Sequence, residues 1–296
     1  MNYKKGDRVK HPGRPEWGPG QVLEDSRDDK VRVFFSGDGR KNLSLKYVEP
    51  VKISGAEARH PILDHLWIRE GGEGRYQNPQ KLTELFLRNH PEGFYGPNYL
   101  KTERNAKVAA HTLALDLLGP APMQELIEQK NYEEICRRAL KIVQATKLLF
   151  VTEKTALQAA LKDSENMALF AENLYQLLYG ETELEGRFKL FSRALGQIRM
   201  AKWTILSYFL FIFFPEKFIF LKPVVTQPAA ELSAFDIHFR PDLNWQTFQS
   251  VLDFSEYLKS ELKDLKPRDM IDIQSFMWCL GTNKKNAEAP AATPLP

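Results

Sequence analysis

Residues 199–228, RMAKWTILSYFLFIFFPEKFIFLKPVVTQP, decide the fold of the larger part of this chain. Within them, ten strongly apolar residues run from Ile205 to Phe214 before Pro215 interrupts the run. A membrane-spanning helix needs about 20 such residues, so this run is too short to cross a bilayer. The pattern predicts a buried helix in the core of a globular domain, and no association with a membrane.

The sequence around this run, residues 81–282, has apolar residues at three-four spacing, which is typical of amphipathic helices. Two of the predicted helices are Tyr132–Leu149 and Met200–Phe214. Candidate helix N-caps stand before three predicted helices: Asn131, Ser164, and Asp242 or Asn244. Since strand-like alternation is almost absent, residues 81–282 are expected to form an all-helical domain.

The N-terminal part of the sequence has a different pattern, with short alternating strands separated by turns. In Lys30–Phe35 the odd-numbered positions can face a core, and Asn42–Val48 is the last predicted strand. We therefore expect an SH3-like or Tudor-like β-barrel over residues 1–54 and a linker over residues 55–80. The low-complexity end, residues 283–296, is expected to be disordered. The predicted fold class is α+β and multidomain, a small β-barrel followed by a large all-α domain.

The charge is concentrated in two segments, although the total of 41 basic and 38 acidic residues gives a net charge of only +3. Residues 1–52 hold 12 basic and 8 acidic side chains, a net charge of +4. Residues 187–222 hold seven basic side chains and one acidic side chain, Glu216, a net charge of +6. A nearly neutral total therefore does not exclude a nucleic-acid partner.

The sequence lacks the motifs that mark several functional classes. The sequence contains no phosphate-binding glycine loop, GxSxG, HExxH or paired CxxC motif, and its six histidines are scattered. We therefore expect neither a metal ion nor a cofactor. The start, MNYKKGDRV, is not followed by an apolar signal segment, and two cysteines, Cys136 and Cys279, cannot form a disulfide framework. These features predict a cytoplasmic protein.

Two N-terminal strings, GDRVKHPGRPEWGPGQVLE and DKVRVFFSGDGRKNLSLKYVEPV, resemble a small barrel-type domain family. The family is similar to the RNA-polymerase-binding barrel of CarD-type transcription factors and to the Tudor-like tails of some helicases. The resemblance implies docking to nucleic acid, to RNA polymerase or to another DNA-processing protein. Trp17 is then either an exposed contact residue or a side chain packed over the end of the barrel. The basic residues are either a phosphate-binding track or a solvated strand face.

The helical region partly resembles the helix-hairpin-helix DNA glycosylases, especially the bacterial 3-methyladenine glycosylases. The resemblance rests on the triplet Lys202-Trp203-Thr204, the aromatic pair Tyr208-Phe209 and the later pair Phe220-Leu221. It covers about 30 residues, and the glycine-x-glycine of the family's hairpin is absent after Gly196. In addition, Lys222 or Pro223 occupies the position of the family's catalytic aspartate.

This departure leaves three interpretations of Lys222. A protonated lysine would oppose the positive charge that develops on the sugar, so a catalytic Lys222 must be a neutral amine that attacks the sugar carbon. Alternatively, Lys222 binds a phosphate or a polar modified base, and a carboxylate such as Asp236 or Asp253 performs the catalysis. In the third interpretation, Lys222 is structural and bonds to backbone carbonyls. Similarly, Trp203 either lines a pocket for a flipped base or belongs to the core.

Further residues are candidates for contact with double-stranded DNA. Arg193, Arg199 and Lys202 flank the turn before the apolar helix, where they either contact phosphates or form a solvated face. The aromatic segment that contains Tyr95 and Tyr99, followed by Lys101, is either a DNA wedge or recognition loop, or a packed connection between helices.

Two functional hypotheses of different classes follow. The first is a DNA-binding, glycosylase-like protein that flips and excises a modified base by cleaving its N-glycosidic bond, in repair or in defence against foreign DNA. The second is a non-catalytic regulator associated with nucleic acid or RNA polymerase, with a helical interaction domain. A catalytically inactive glycosylase relative that reads distorted DNA is a third possibility.

Overall fold

A computed structural model of the protein describes residues 2–68 and 76–282. The chain divides into two compact units. The first, which we call the β unit, comprises Met1–Leu85 and Pro228–Ile237. The second, the helical unit, comprises Phe86–Gln227 and His238–Pro296. The predicted disordered tail, residues 283–296, lies outside the described residues.

The β unit contains five antiparallel strands in the order β4-β3-β2-β1-β5. Their bounds are β1 Arg8–Lys10, β2 Pro19–Val22, β3 Lys30–Phe35, β4 Gly39–Ser44 and β5 Val51–Lys52. The predicted core face of β3 is confirmed, because Val31, Val33 and Phe35 are buried. Phe34, on the opposite face, is also buried, and its ring centroid lies 4.8 Å from that of Tyr76.

The end of the sheet differs from the predicted last strand, Asn42–Val48. Strand β4 starts earlier, at Gly39, because it pairs with β3 directly from the turn, with Phe35 opposite Gly39. It ends at Ser44, whose carbonyl accepts a hydrogen bond from the Tyr47 N–H in a turn. The chain then returns as the short strand β5, which pairs with β1.

The predicted linker is structured where it is described. Residues 55–68 form a 3₁₀ turn, Gly55–Ala58, and a short helix α1, Pro61–Asp64. The Arg8 guanidinium donates to the Leu63 carbonyl at 2.9 Å and pairs with Asp64 at 3.0 Å. These contacts join positions more than 50 residues apart, so the local composition that predicted a linker could not show them. Residues 69–75, the glycine-rich part of the predicted linker, lie outside the described residues.

The remaining helices follow the predicted periodicity closely. A π-helical turn, Leu100–Arg104, joins α3 to α4. The α-helices after α1 are α2 Pro79–Asn89, α3 Pro97–Tyr99, α4 Asn105–Leu118, α5 Pro120–Glu128, α6 Tyr132–Gln144, α7 Val151–Ala160, α8 Ser164–Tyr179, α9 Leu184–Gln197, α10 Trp203–Phe213, α11 Pro223–Leu232, α12 Trp245–Glu261 and α13 Met270–Thr282. Together with the sheet, these helices confirm the α+β class.

Two of the predicted helix caps are confirmed and one is wrong. The Asn131 side chain accepts from a backbone N–H at the start of α6, and Asn244 does the same at the start of α12. Helix α8 is capped by Asp163 rather than Ser164, because the Asp163 carboxylate accepts two N–H groups of the first turn at 3.0 Å. Helix α6 ends at Gln144, five residues before the predicted end.

Helix α10 is the predicted core helix, and all of its residues from Trp203 to Phe213 are buried. A helix that is apolar on every side is stable only when it is surrounded by other elements. Its predicted start at Met200 is three residues too early, since Arg199 has a left-handed backbone (φ 56°) and Lys202 is extended. Over the described part of the chain, no helix is both long and apolar enough to span a bilayer.

Candidate nucleic-acid interface

The turn between α9 and α10 presents basic side chains, and we call Ile198–Lys202 the basic turn. Its residue Arg199 has a left-handed backbone, with φ 56°. Backbone hydrogen bonds from Arg199 N–H to the Gly196 carbonyl (3.1 Å) and from Met200 N–H to the Leu195 carbonyl (2.6 Å) close the turn. A backbone held in this way gives the side chains of the turn a defined direction.

Three predicted DNA-contact residues are exposed at this turn or one helical turn before it. Arg193, Arg199 and Lys202 all face solvent, and none of them forms an ion pair with another described residue. Lys202 is the N-cap residue of α10, and its side chain does not cap the helix. The first N–H groups of a helix carry partial positive charge and attract anions. The basic turn therefore combines a helix N-terminus with cations that have no ion-pair partner in the described part of the chain, which suits a phosphate group.

The basic residues of the β unit are arranged differently, because most of them pair with acidic side chains. At least eight of the twelve basic residues within residues 1–52 form ion pairs: Lys4–Asp25, Arg8–Asp64, Lys10–Glu57, Arg14–Glu16, Arg32–Glu24, Lys41–Asp38, Lys46–Asp29 and Lys52–Asp7. Each exposed pair contributes little to stability. Their common effect is to offset the charge that a phosphate track would need, which supports the alternative of a solvated strand face.

Trp17 packs against the sheet, as in one of its two predicted roles. Its ring lies 5.2 Å from that of Phe35 and 4.7 Å from that of His11, measured between centroids. The Lys41 ammonium lies 5.2 Å from the centre of the indole ring. The side chain is half-buried and joins the core of the β unit.

Trp203 belongs to the core of the helical unit. It is 3% exposed, and its indole N–H donates to the Arg240 carbonyl at 2.9 Å. Its ring lies beside Phe188, with the centroids 6.2 Å apart. Of the two predicted roles of Trp203, these contacts support the core residue and not the base pocket. A base could stack on the indole ring only after the core had opened.

Lys222 is buried and anchored, and it is 5% exposed. Its ammonium donates to the Leu148 carbonyl at 2.9 Å, which is the contact that the structural interpretation of Lys222 expects. The ammonium also lies 4.0 Å from the centre of the Phe150 ring and 5.3 Å from that of Trp278. Burial lowers the pKa of Lys222, and the nearby carboxylate of Glu153 partly opposes this shift.

Sequence reasoning missed Glu153, which organises the start of α7. Its carboxylate accepts hydrogen bonds from the Thr204 hydroxyl at 2.7 Å and from the Phe150 N–H at 3.0 Å. The second contact is the back-reaching half of a capping box, in which an acidic residue bonds to the N–H three positions earlier. The three-residue spacing of Phe150 and Glu153 could have indicated this capping box in the sequence, but phenylalanine is not a common N-cap residue.

The candidate catalytic carboxylates take part in local backbone and side-chain contacts. Asp236 is half-buried in the β unit, and its N–H donates to the His65 carbonyl at 2.6 Å. Asp253 lies on α12 and accepts a hydrogen bond from the Gln249 side-chain amide at 2.9 Å. Lys222 and Trp203 belong to the helical unit. Among the residues that the structure covers, no group of three or more His, Cys, Asp or Glu side chains is arranged to hold a metal ion.

The predicted aromatic recognition loop is a packed connection between helices. Tyr99 is fully buried and its hydroxyl donates to Asp272 at 2.6 Å, which fits the packed connection rather than a residue that faces DNA. Tyr95 is 53% exposed, and its hydroxyl donates a hydrogen bond to the Lys266 carbonyl at 2.9 Å. Lys101 is also exposed, so Tyr95 and Lys101 are the two of these three predicted DNA contacts that face solvent.

Tyr99 belongs to a buried charged network that the sequence did not reveal. Arg104 bonds to Asp269 at 2.6 Å and to Asp272 at 2.9 Å. Burial and the neighbouring Asp272 raise the pKa of Tyr99 well above its usual range, so its hydroxyl keeps its proton. This network joins α3 and the π-helical turn after it to the start of α13 and stabilises the helical unit.

Comparisons with known proteins identify one relationship, in the β unit. Residues 3–53 match the model of a family described as "Protein of unknown function (DUF3553)". The matched segment covers the five-stranded sheet, and the match and the sheet together fit a small β domain. No curated protein and no solved structure gives a significant match to the chain.

Proposed function

We propose that this protein binds double-stranded DNA through the basic turn of its helical unit and acts as a non-catalytic regulator. The observation that carries the proposal is a set of three exposed cations beside the N-terminus of α10, Arg193, Arg199 and Lys202, which have no acidic partner within residues 2–68 and 76–282. Phosphate groups are bound in proteins by this combination of arginine, lysine and helix N–H groups. Affinity from such contacts is independent of base sequence and depends strongly on salt.

We assign the β unit an SH3-like or Tudor-like barrel fold and a protein partner, such as RNA polymerase or another DNA-processing protein. Because most of its cations are paired, phosphate binding has little support there. In contrast, Tyr47 is 88% exposed and Val51 is 54% exposed. Exposed aromatic and aliphatic side chains are the typical anchors of protein–protein interfaces.

A non-catalytic role is favoured because Trp203 and Lys222 both make structural contacts. A glycosylase needs an accessible pocket in which a flipped base stacks beside the reacting group. Trp203 is held by the Arg240 carbonyl and Lys222 by the Leu148 carbonyl. Neither side chain is exposed enough to receive a base in the folded structure.

DNA binding is tested by replacing the cations of the basic turn. The double variant Arg199→Ser/Lys202→Ser is titrated against a fluorescently labelled duplex and should bind about tenfold more weakly than the wild type. The matched control removes two exposed lysines of the β unit, Lys4→Ser/Lys46→Ser, and should bind as the wild type does. Equal affinity of the basic-turn variant and the wild type would remove the support for the proposal.

A DNA glycosylase is a second candidate, and one observation favours it. Burial lowers the pKa of Lys222, so its ammonium loses a proton more readily than an exposed lysine does, and the neutral amine is the form that can attack a sugar carbon. In that reaction the amine forms a bond to C1′ while the bond to the base breaks, and the base leaves with the electron pair and takes up the proton that the amine loses. Water then hydrolyses the lysine–sugar adduct, which releases the abasic site and restores the amine. Incubation with modified duplexes should then give abasic sites with the wild type and none with Lys222→Met. Absence of abasic product from every modified duplex refutes this candidate.

A further inference from the structure

Two adjacent apolar side chains are exposed at the start of α7. Phe150 is 49% exposed, and Val151, the first residue of the helix, is 79% exposed. Exposed apolar residues are common singly, but an aromatic ring beside a second apolar side chain forms a small projecting contact surface. We call Phe150 and Val151 the α7 tip.

One face of the Phe150 ring is already occupied by a fixed cation. The Lys222 ammonium lies 4.0 Å from the centre of the ring and is held there by the Leu148 carbonyl. The π face of an aromatic ring is negative and attracts a cation, and a cation on one face withdraws electron density from the other face. The outer face of Phe150 therefore favours an electron-rich ring over a second cation, such as a methylated lysine.

The charges around the α7 tip suit an anionic ligand. Lys147 is exposed three residues before Phe150, and the Lys154 ammonium donates to the Thr146 carbonyl one turn into the helix. The one acidic residue in this segment, Glu153, is buried, with its carboxylate engaged by Thr204 and by the Phe150 N–H. A phosphate-linked ligand at the tip thus meets a positive charge and no exposed carboxylate from residues 147–154.

We propose that Phe150 is a stacking platform for an unpaired nucleobase, with Lys147 beside the adjacent backbone phosphate. Stacking on an aromatic side chain is tolerant of base identity, because every base has a π face. The inference rests on the proposed binding of DNA and extends it: the protein would favour duplexes that contain an unpaired base over fully paired ones. The basic turn supplies affinity for any DNA duplex, and the α7 tip supplies the preference for a duplex with an unpaired base.

The experiment compares two duplexes, one fully paired and one with a single unpaired 2-aminopurine, against full-length protein. Phe150→Leu keeps an apolar side chain and removes the π face, and it should weaken binding of the unpaired-base duplex by about 5- to 150-fold with no change for the paired duplex. Phe150→Tyr should retain the preference. Leu115→Ala, which truncates an exposed leucine on α4, serves as the surface control and should have no effect on either duplex.

The outcomes separate this inference from the proposed function. Unchanged binding of both duplexes by Phe150→Leu overturns the stacking platform alone, provided that Arg199→Ser/Lys202→Ser still weakens both. Loss of the preference in Phe150→Leu with no effect of the basic-turn variant supports the platform and overturns the basic turn. Failure of the wild type to bind either duplex overturns both. A change of oligomeric state in Phe150→Leu without a change in DNA preference would assign the tip to self-association and overturn the inference.

Discussion

Asp272 is the carboxylate at the centre of the buried charged network, and its removal provides a direct test of that network. It is fully buried and accepts hydrogen bonds from the Tyr99 hydroxyl (2.6 Å), from Arg104 (2.9 Å) and from the Arg268 side chain (3.0 Å). Substitution Asp272→Ala leaves two guanidinium groups short of a partner and one buried hydroxyl without an acceptor.

The expected loss of stability follows from the burial of these partners. Removing one member of a buried ion pair typically costs about 3–5 kcal/mol, because the remaining charge is uncompensated. Arg104 keeps its bond to Asp269, so the lower part of that range, about 3–4 kcal/mol, is expected. For a unit of this size, such a loss lowers the melting temperature by about 6–16 °C.

Urea denaturation followed by far-ultraviolet circular dichroism measures this change in the free energy of unfolding. The control is Asp253→Ala, which removes a half-buried carboxylate that bonds to Gln249 one turn earlier on α12, and it should change stability by less than about 0.5 kcal/mol. A loss below about 1 kcal/mol for Asp272→Ala, with an unchanged denaturant slope, would refute the assignment of Asp272 as the centre of a stabilising network.

Three further predictions concern stability. Trp203→Ala should lower the free energy of unfolding by about 3–5 kcal/mol in urea denaturation, since a large core side chain is lost; a base-pocket role would leave stability nearly unchanged. The pKa of Lys222 lies below its ordinary value of 10.5, so between these two values the unfolded chain binds more protons and stability rises with pH. The free energy of unfolding of the wild type minus that of Lys222→Met should therefore rise as the pH approaches 10.5. A difference that does not change with pH would contradict this prediction. Gly39→Ala should destabilise the β unit by about 1–2 kcal/mol, because Gly39 has φ 71° and a Cβ there would lie 2.9 Å from Tyr76; unchanged thermal unfolding would contradict this.

Local patterns in the sequence predicted the secondary structure well. The period-two alternation of Val31, Val33 and Phe35 and the all-apolar stretch of α10 depend only on neighbours within a few residues. The caps at Asn131 and Asn244 depend on the same short range. The start of α10 was missed by three residues because the left-handed backbone at Arg199, which is not a glycine, has no sequence signature.

Contacts between distant positions explain most of the errors at the candidate site. Tyr99 looked like an exposed recognition residue because its partner, Asp272, lies 173 residues further along the chain. The +4 charge of residues 1–52 suggested a phosphate track, but pairing in three dimensions offsets most of those cations. Phe150 was not recognised as a candidate because its exposure and its contact with Lys222 arise only in the folded helical unit.

The salt dependence of DNA binding tests the central claim most directly. Each phosphate contact contributes about 0.9 to the slope of log affinity against log salt concentration, because each contact releases condensed counterions. Removal of Arg199 and Lys202 together should therefore reduce the magnitude of the slope by about 1.8, whereas Lys4→Ser/Lys46→Ser should leave it unchanged. Identical slopes for the wild type and the basic-turn variant would contradict the claim that this turn contacts DNA.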